Sequence, residues 1–309
     1  MTRTFDLTDY LRAEVARVDA ALERALDAEA VHGLAAGVRA AVAHGVRSGG
    51  KRLRPVLCVE AWRAVRRAKG LGGDAAPDAA YDLAVSLELI HAYSLMHDDL
   101  PCMDDADLRR GQPTTWKVHG EADTVAGGVA LIPLAALQAL RSARALGCTE
   151  AVARRAAETL LGAAGSGGMV GGQGLDLLGE DRALSSDELD ELHAHKTGAL
   201  LTASLWVGGI AAEASEAQEA ALVGYGRRIG LAFQIADDVL DATASAEALG
   251  KRPSDSDLGK STYVALHGVD EARTRGVEQV DQGLAALSAG GLESPALTAL
   301  AHYVMERDR

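Results

Sequence analysis

Two aspartate-rich segments, about 140 residues apart, are the part of this sequence where residue types and spacing point most directly to chemistry. Their carboxylates are Asp98, Asp99 and Asp104 in the first segment, and Asp237, Asp238 and Asp241 in the second. Clustered carboxylates repel one another unless a cation lies between them. Magnesium favours a few carboxylates together with substrate phosphates. Because bases lie near both segments, the pattern predicts an enzyme that binds a diphosphate through bridging Mg²⁺.

The second segment is predicted to form one face of a helix. Apolar residues recur through it at helical spacing, at Ile229, Phe233, Ala236 and Leu240. On such a helix Gln234, Asp237 or Asp238, and Asp241 share a face. A solvent-exposed acidic face is the common alternative. Because these acids lie within an apolar run that contains no base, and a buried unpaired acid is costly, the pattern favours a cation site.

The first segment is predicted to end another helix. Leu87, His91, Ser94 and Asp98 form one stripe of it. Pro101 then interrupts the helix, because proline lacks an amide hydrogen and disfavours helix at the preceding residue. The intervening residues are therefore expected to bulge and to leave Asp104 in the cluster. The adjacent Arg109 and Arg110 follow, and guanidinium groups are strong bidentate phosphate ligands.

Six further motifs, in this order, give the chain its resemblance to a known family. They are Gly49–Pro55, Ile90–Leu95, Leu108–Gly111, Met169–Gln173, His195–Ala199 and Leu258–Tyr263. Together with the acidic segments, the chain resembles the trans-isoprenyl diphosphate synthases (polyprenyl synthetases), most closely the bacterial short-chain members. The resemblance extends from about residue 30 to the C-terminus. It implies an all-α bundle of long helices around a deep central cavity, and commonly a homodimer.

The resemblance also implies a reaction and the residues that carry it out. Isopentenyl diphosphate would be joined head to tail to dimethylallyl and then geranyl diphosphate, giving farnesyl diphosphate (C15). Several Mg²⁺ ions would be bound by Asp98, Asp99, Asp104, Asp237, Asp238 and Asp241. The allylic diphosphate would be bound by Arg109, Lys196, Lys251 and Lys260, with Thr197 and Gln234 near the developing cation. Isopentenyl diphosphate would be bound by Lys51, Arg54, His91 and Arg110.

Product length is expected to depend on the residues just before Asp98. By resemblance, the growing hydrocarbon runs along the helix that ends there. Tyr93 lies roughly 7.5 Å earlier at 1.5 Å per residue, so its ring would close the pocket. The Tyr93-Ser94 pair before the first acidic segment resembles the C15 pattern. Ordinary core packing of Tyr93 is the alternative, and His97 and His195 are also interpreted as packing residues.

One stretch departs from the family pattern. The family usually has Ala-Gly-Asp after the arginine pair, whereas this chain has Gly128 in place of the acid and Pro133 five residues later. Pro133 is expected to kink the helix that lines the cavity. Three alternatives stay open: a geranylgeranyl or geranyl diphosphate synthase, a terpene cyclase, and a non-catalytic partner subunit. The cyclase would not need Lys51, Arg54 and Arg110, and the intact acids argue against the non-catalytic subunit.

Composition and length indicate the fold class and the number of domains. The 309 residues are 48% hydrophobic and 4% aromatic, and they are rich in Ala and Leu. Such a chain can bury a sizeable core and favours an all-α fold. We expect one domain, 1–309, because the sequence shows no linker and no repeat. The glycine-rich stretch 162–174 is expected to allow close helix approach, and residues 242–260 to form a loop. Beyond Tyr263 no chemistry is predicted.

Charge and cysteine content exclude other classes. A net charge of −13 argues against nucleic-acid binding and gives no support to an anionic-membrane anchor. The apolar stretch Thr197–Ala212 is too short for a membrane span and is predicted to be a core helix. Three scattered cysteines, Cys58, Cys102 and Cys148, are interpreted as free thiols in a reducing cytoplasm. The N-terminus shows no signal-peptide pattern, so a cytoplasmic protein is expected.

Overall fold

The computed structural model describes residues 5–73, 75–179, 182–243 and 261–307. The helices are, in chain order, α1 (Leu7–Leu26), α2 (Glu29–His32), α3 (Ala36–Arg47), α4 (Leu53–Ala68), α5 (Asp78–Asp98), α6 (Thr115–His119), α7 (Glu121–Ala145), α8 (Glu150–Ala164), α9 (Met169–Gly179), α10 (Ser186–His193), α11 (Ala199–Ala211), α12 (Glu216–Thr243), α13 (Tyr263–His267), α14 (Val269–Ala289) and α15 (Pro295–Glu306). A π-helical turn, Ala194–Gly198, precedes α11. Strands β1 (Leu108–Arg109) and β2 (Gln112–Pro113) form an antiparallel hairpin.

The all-α fold predicted from composition is confirmed, since the only strands in the described ranges are those of one short hairpin. Several helices begin at polar caps that satisfy free backbone amides. Asp6 accepts from the amide of Asp9 at 3.0 Å, and Ser185 forms a capping box with Glu188 at the start of α10. Ser294 caps α15 by accepting from the amide of Leu297 at 3.1 Å. Local sequence therefore determines where these helices start.

Helices α5 and α11 lie in the interior, each packed against several other helices. Helix α5 lies against α7, α4, α1 and α3, and Leu83, Leu87 and Ile90 are fully buried along it. Helix α11 lies against α4, α12 and α8, which confirms the predicted core helix. Helix α12 packs along α14 and α15. This packing places the carboxyl ends of α5 and α12, where the aspartates lie, on a rigid scaffold.

A buried ionic network joins α1, α4 and α5. The guanidinium of Arg63 donates to Glu14 at 3.0 Å and to the hydroxyl of Tyr81 at 2.8 Å. Tyr81 in turn donates to the other oxygen of Glu14 at 2.6 Å. Glu60 accepts from Tyr10 at 2.9 Å, and these charged side chains are almost fully buried. Because buried charges are tolerated only when paired, the network holds the three helices in one arrangement.

Helix α7 continues through Pro133 without ending there, and the kink expected at this residue stays a prediction. It is long and apolar enough to cross a membrane by length and composition alone, a property that the sequence analysis did not identify in this segment. Core helices pass the same test, and α7 packs along α5, α3 and α8. Its outer side, however, exposes Val125, Val129 and Leu137 to solvent.

The glycine-rich stretch 162–174 includes one position where two backbones meet. A Cβ atom at Gly172, on α9, would lie 2.5 Å from the Cα of Lys196 in the π-helical turn. Only glycine allows this approach without displacing backbone. The predicted close approach is thus confirmed at Gly172, whereas Gly162 and Gly174 face open space.

Candidate active site

The first acidic segment folds back on the end of α5, as its sequence predicts. The helix ends at Asp98, and the chain then turns through Pro101. The amide of Asp104 donates to the carbonyl of Asp98 at 2.9 Å, and the amide of Ala106 donates to the carbonyl of Asp99 at 3.2 Å. The bulge therefore returns Asp104 to the start of the segment.

The charges of this segment are close enough to affect one another. Burial raises the pKa of Asp98 to about 6, and the neighbouring charges of Asp104 and Asp99 act in the same direction against the lowering effect of Lys196 and Arg109. Asp104 is exposed, whereas Asp99 is buried. A divalent cation would relieve this repulsion and restore the charge of Asp98.

The hairpin β1–β2 directs the two adjacent arginines to different places. Arg109 donates to both oxygens of Asp99, with Nη2–Oδ1 at 2.6 Å and Nε–Oδ2 at 3.0 Å. Arg110 has a φ of 53° and donates instead to the carbonyl of Gly49. Arg109 ends β1, whereas Arg110 lies in the turn that follows with a left-handed backbone, so the two side chains point in different directions. Arg109 thus serves the acidic segment, and Arg110 serves the loop before α4.

Four basic side chains lie around that loop: Lys51, Arg54, His91 and Arg110. We call them the basic cradle. A Cβ atom at Gly50 would lie 2.6 Å from Nη1 of Arg110, so glycine is required there for the arginine to approach. Nε of Arg54 is buried and has no hydrogen-bond partner. Burial and the nearby charges of Arg54 and Arg110 hold the pKa of His91 well below its usual value. The basic cradle therefore combines a positive potential, a neutral imidazole and an unused donor, which fits an anionic ligand.

Two side chains that the sequence analysis did not identify anchor the basic cradle. Arg52, in a left-handed conformation with φ 49°, donates to the buried Glu88 at 2.8 Å and to Asp19 at 3.0 Å. Nζ of Lys51 lies 5.3 Å from the ring centre of Tyr303 on α15. The sequence offered one signal for this pair. Glu88 lies within the apolar part of α5, and a buried acid requires a base such as Arg52.

The second acidic segment lies on α12, as predicted, and a base from the far end of the chain reaches it. Nη2 of Arg307 donates to Asp237 at 2.6 Å and to the carbonyl of Phe233 at 3.0 Å. Its guanidinium also lies 3.8 Å from the ring centre of Phe233. The sequence analysis identified no chemistry beyond Tyr263, so it missed this contact of Arg307 with a predicted metal ligand.

The other acids of α12 differ in their surroundings. Asp238 is buried and accepts from the amide of Tyr263 at 2.7 Å, so in this conformation it supports the start of α13. Asp241 lies almost one turn further along and is half-buried. Their role as metal ligands stays a prediction, as does that of Asp237, which faces the guanidinium of Arg307.

The π-helical turn carries Lys196 and Thr197 beside α12. Nζ of Lys196 donates to Asp176 on α9 at 2.5 Å, and the lysine also acts electrostatically on Asp98. Nε2 of Gln234 donates to Nδ1 of His193 at 3.3 Å. Burial lowers the pKa of His193 to about 4, so the ring is neutral and can accept this bond. The amide oxygen of Gln234 is thereby left for another partner.

Residues near the predicted product pocket lie on the last two turns of α5. Tyr93 is half-buried, and its ring meets that of His97 edge to face at a centroid distance of 4.9 Å. Burial and the charge of Asp98 raise the pKa of the Tyr93 hydroxyl. Ser94 donates to the carbonyl of His91 at 2.9 Å, and His195 bonds the carbonyl of Gly167 at 3.1 Å. Lys251 and Lys260 lie outside the described residues.

The carboxylates form no ready-made metal cage. Within the described ranges, no group of three His, Cys, Asp or Glu side chains is arranged to hold a metal ion. Mg²⁺ keeps several waters and takes substrate phosphates as ligands, so a few hard oxygens suffice. Asp98 and Asp104 provide such oxygens, while Asp99 and Asp237 are paired with arginines. The donor set fits magnesium bound together with a phosphorylated ligand.

The sequence is similar to those of known proteins. The sequence matches the polyprenyl synthetase family over residues 36–287. It is 40% identical over 271 residues to a farnesyl diphosphate synthase of Escherichia coli K12, covering 86% of this chain and 88% of that one. It is 42% identical over 242 residues to geranylgeranyl pyrophosphate synthase 6 of Arabidopsis thaliana, covering 76% and 69%.

The fold is shared with solved structures as well. An FPP/GFPP synthase from Zymomonas mobilis superposes with a TM-score of 0.79 at 31% identity, covering 97% of this chain and 98% of that chain. With the family match over residues 36–287 and these identities over most of both chains, this protein belongs to the polyprenyl synthetase family.

Proposed function

We propose that this protein is a Mg²⁺-dependent prenyltransferase that joins isopentenyl diphosphate head to tail to dimethylallyl and geranyl diphosphate. The product would be (2E,6E)-farnesyl diphosphate, with diphosphate released at each step. One observation supports the proposal: the adjacent arginines of one hairpin lie in two separate groups of predicted ligands. Arg109 pairs with Asp99 in the acidic segment, and Arg110 joins Arg54 and His91 in the basic cradle. A condensation of two diphosphates needs two such sites.

The allylic diphosphate would bind between the acidic segments. Bound Mg²⁺ would supply positive charge to the departing diphosphate. Asp98 at the end of α5, Asp104 in the turn after it and Asp237 on α12 would hold the metal, with Asp99, Asp238 and Asp241 as further predicted ligands. Arg109 and Lys196 would exchange their carboxylate partners for phosphate oxygens. Lys251 and Lys260 are proposed to assist from the segment beyond α12.

The hydrocarbon end of the allylic substrate would become a cation when its carbon–oxygen bond breaks. The hydroxyl of Thr197 and the amide oxygen of Gln234 would stabilise that cation through their dipoles, and exclusion of water would protect it. The double bond of isopentenyl diphosphate would attack the cation, and loss of a proton would complete the step. The basic cradle would hold the second diphosphate without metal, with neutral His91 donating one hydrogen bond.

The C15 product is proposed on the position of Tyr93. Its ring lies on α5 before Asp98, where it would close the end of the hydrocarbon pocket. Because one relative is named a geranylgeranyl pyrophosphate synthase, product length needs its own test. The terpene cyclase and the non-catalytic subunit are less well supported, since the basic cradle and both acidic segments are present.

We also propose that the protein is a homodimer in the cytoplasm. The exposed apolar side chains of α7 form a stripe that a second copy would bury. Cys58, Cys102 and Cys148 are free thiols, as a reducing compartment requires. Self-association through α7 would also explain why this apolar helix leaves part of its surface uncovered.

The first experiment is a turnover assay with isopentenyl diphosphate, Mg²⁺ and each of dimethylallyl, geranyl and farnesyl diphosphate, with product length read by mass spectrometry. Farnesyl diphosphate from the first two starters, and little from the third, is the expected result. A longer end point would keep the prenyltransferase and overturn the C15 product. Absence of product from every starter would overturn the catalytic proposal.

A matched pair of variants tests the two-site geometry. Arg110→Gln is expected to raise the KM for isopentenyl diphosphate about tenfold, with a smaller effect on the allylic substrate. Arg109→Gln is expected to act mainly on the allylic substrate and on Mg²⁺ dependence. If both variants affect the same substrate, the separation of the two anion sites is wrong.

A further inference from the structure

Gly128 and His97 occupy one space between α5 and α7. A Cβ atom at position 128 would lie 2.5 Å from Cδ2 of His97 and closer still to its Nε2. The imidazole therefore rests directly on the backbone of α7, and Nε2 of His97 donates to the carbonyl of Val125 at 3.2 Å. Any side chain at position 128 would have to displace this ring.

The other side of the same imidazole supports Tyr93. The two residues are one turn apart on α5 and so share a face of the helix. Their rings meet edge to face, with centroids 4.9 Å apart and planes at 77°. Such aromatic contacts contribute roughly 0.5–1.5 kcal/mol beyond the burial of their area. The imidazole of His97 thus lies between the backbone of α7 and the ring of Tyr93.

We propose that His97, seated on Gly128, is a positioning residue that holds the Tyr93 ring in place and thereby limits the length of the prenyl chain. This position of the His97 ring requires glycine at position 128. Neither residue touches the reacting atoms, since they act through Tyr93. The inference rests on the proposed function, because it concerns the end of that enzyme's hydrocarbon pocket.

Two single variants should release the tyrosine ring by different routes. His97→Ala removes the imidazole, and Gly128→Ala pushes it aside, a movement that the free end of a side chain can make without unfolding. Each is expected to raise the C20 fraction of the product at least tenfold over wild type. Gly162→Ala is the matched control, because it adds the same methyl group to helix α8 where nothing lies within 4 Å.

The double variant separates this mechanism from general loosening of the pocket. With no imidazole to displace, the added methyl group should have no further effect, so His97→Ala/Gly128→Ala should match His97→Ala alone. Additive lengthening in the double variant would overturn the shared mechanism. Unchanged product length in both single variants would overturn the inference altogether.

A binding measurement keeps the inference testable if the wild-type protein shows no turnover. Calorimetry with geranyl and farnesyl S-thiolodiphosphates and Mg²⁺ reports pocket depth without catalysis. Both single variants should shift the affinity ratio at least tenfold toward the farnesyl compound, and Gly162→Ala should not. Failure of turnover together with this shift would reject the proposed function alone, whereas an unshifted ratio would reject the role of His97.

Discussion

Asp98 is the single residue whose charge should respond most to magnesium. In the metal-free protein, burial raises its pKa to about 6 from the usual value near 4, so the folded state keeps a proton that the unfolded chain releases. Its contribution to stability is therefore complete below about pH 4 and is lost as the pH rises through about 6. Mg²⁺ requires the ionised carboxylate and releases that proton.

We therefore expect Mg²⁺ and inorganic diphosphate to raise the Tm more at about pH 7.5 than at about pH 5. Asp98→Asn should remove most of this difference and should also abolish turnover, while its circular dichroism spectrum stays that of the wild type. Thermal unfolding followed with and without Mg²⁺ at both pH values checks the prediction. An equal Mg²⁺ effect in the variant would argue against Asp98 as a ligand.

A second prediction at the residue scale concerns Tyr93. Tyr93→Ala should open the end of the hydrocarbon pocket and shift the product from C15 toward C20 or longer, as mass spectrometry would show. Leu95→Ala is a suitable control, because Leu95 is also half-buried on α5 but points to another face. A C15 product from the Tyr93 variant would mean that the ring is ordinary core packing.

At the scale of elements, the buried network around Arg63 is what holds α1 and α5 against α4. Arg63→Ala would leave the buried Glu14 without the base that pairs with it, whereas Glu60 would keep its pair with Arg67. Removing one partner of such a network typically costs about 3–5 kcal/mol, and we expect that loss in the free energy of unfolding by urea. Arg12→Ala, which breaks an exposed pair with Asp9, should change it by less than about 0.5 kcal/mol. Equal effects would show that burial of the network is unimportant.

The C-terminal helix is a further element-scale finding. Helix α15 brings Tyr303 to Lys51, and Arg307 at its end contacts Asp237. Both predicted substrate sites are therefore in contact with an element that contains no recognisable motif. Arg307 is itself buried among α12 residues, with its guanidinium over Phe233. The contact with Arg307 thereby fixes the position of the Asp237 carboxylate.

At the scale of the whole molecule, the exposed stripe on α7 predicts self-association. Val129→Asp places a charge in the centre of that stripe and should convert a dimer to a monomer, as measured by light scattering after gel filtration. Val277→Asp on α14 is the matched control, because the two valines are 54% and 49% exposed. A monomeric wild-type protein, or a dimer that survives Val129→Asp, would exclude α7 as the interface.

The sequence by itself determined the helices and the chemistry that they carry. Periodicity identified α12 and the end of α5, and Pro101 predicted the bulge that returns Asp104 to Asp98. The order of the motifs determined the family. These features are local, since they depend on helix period, capping and turn-forming residues within a few positions of one another.

Only the tertiary structure decided which distant side chains meet. Arg307 reaches Asp237 across 70 residues, and Arg52 finds Glu88 across 36. In the sequence, Gly128 stands where the family usually has an acid. In the fold, its missing side chain leaves the space that the His97 ring occupies. Helical periodicity shows which face of a helix is buried but not which helix covers it, because packing depends on the whole set of elements at once.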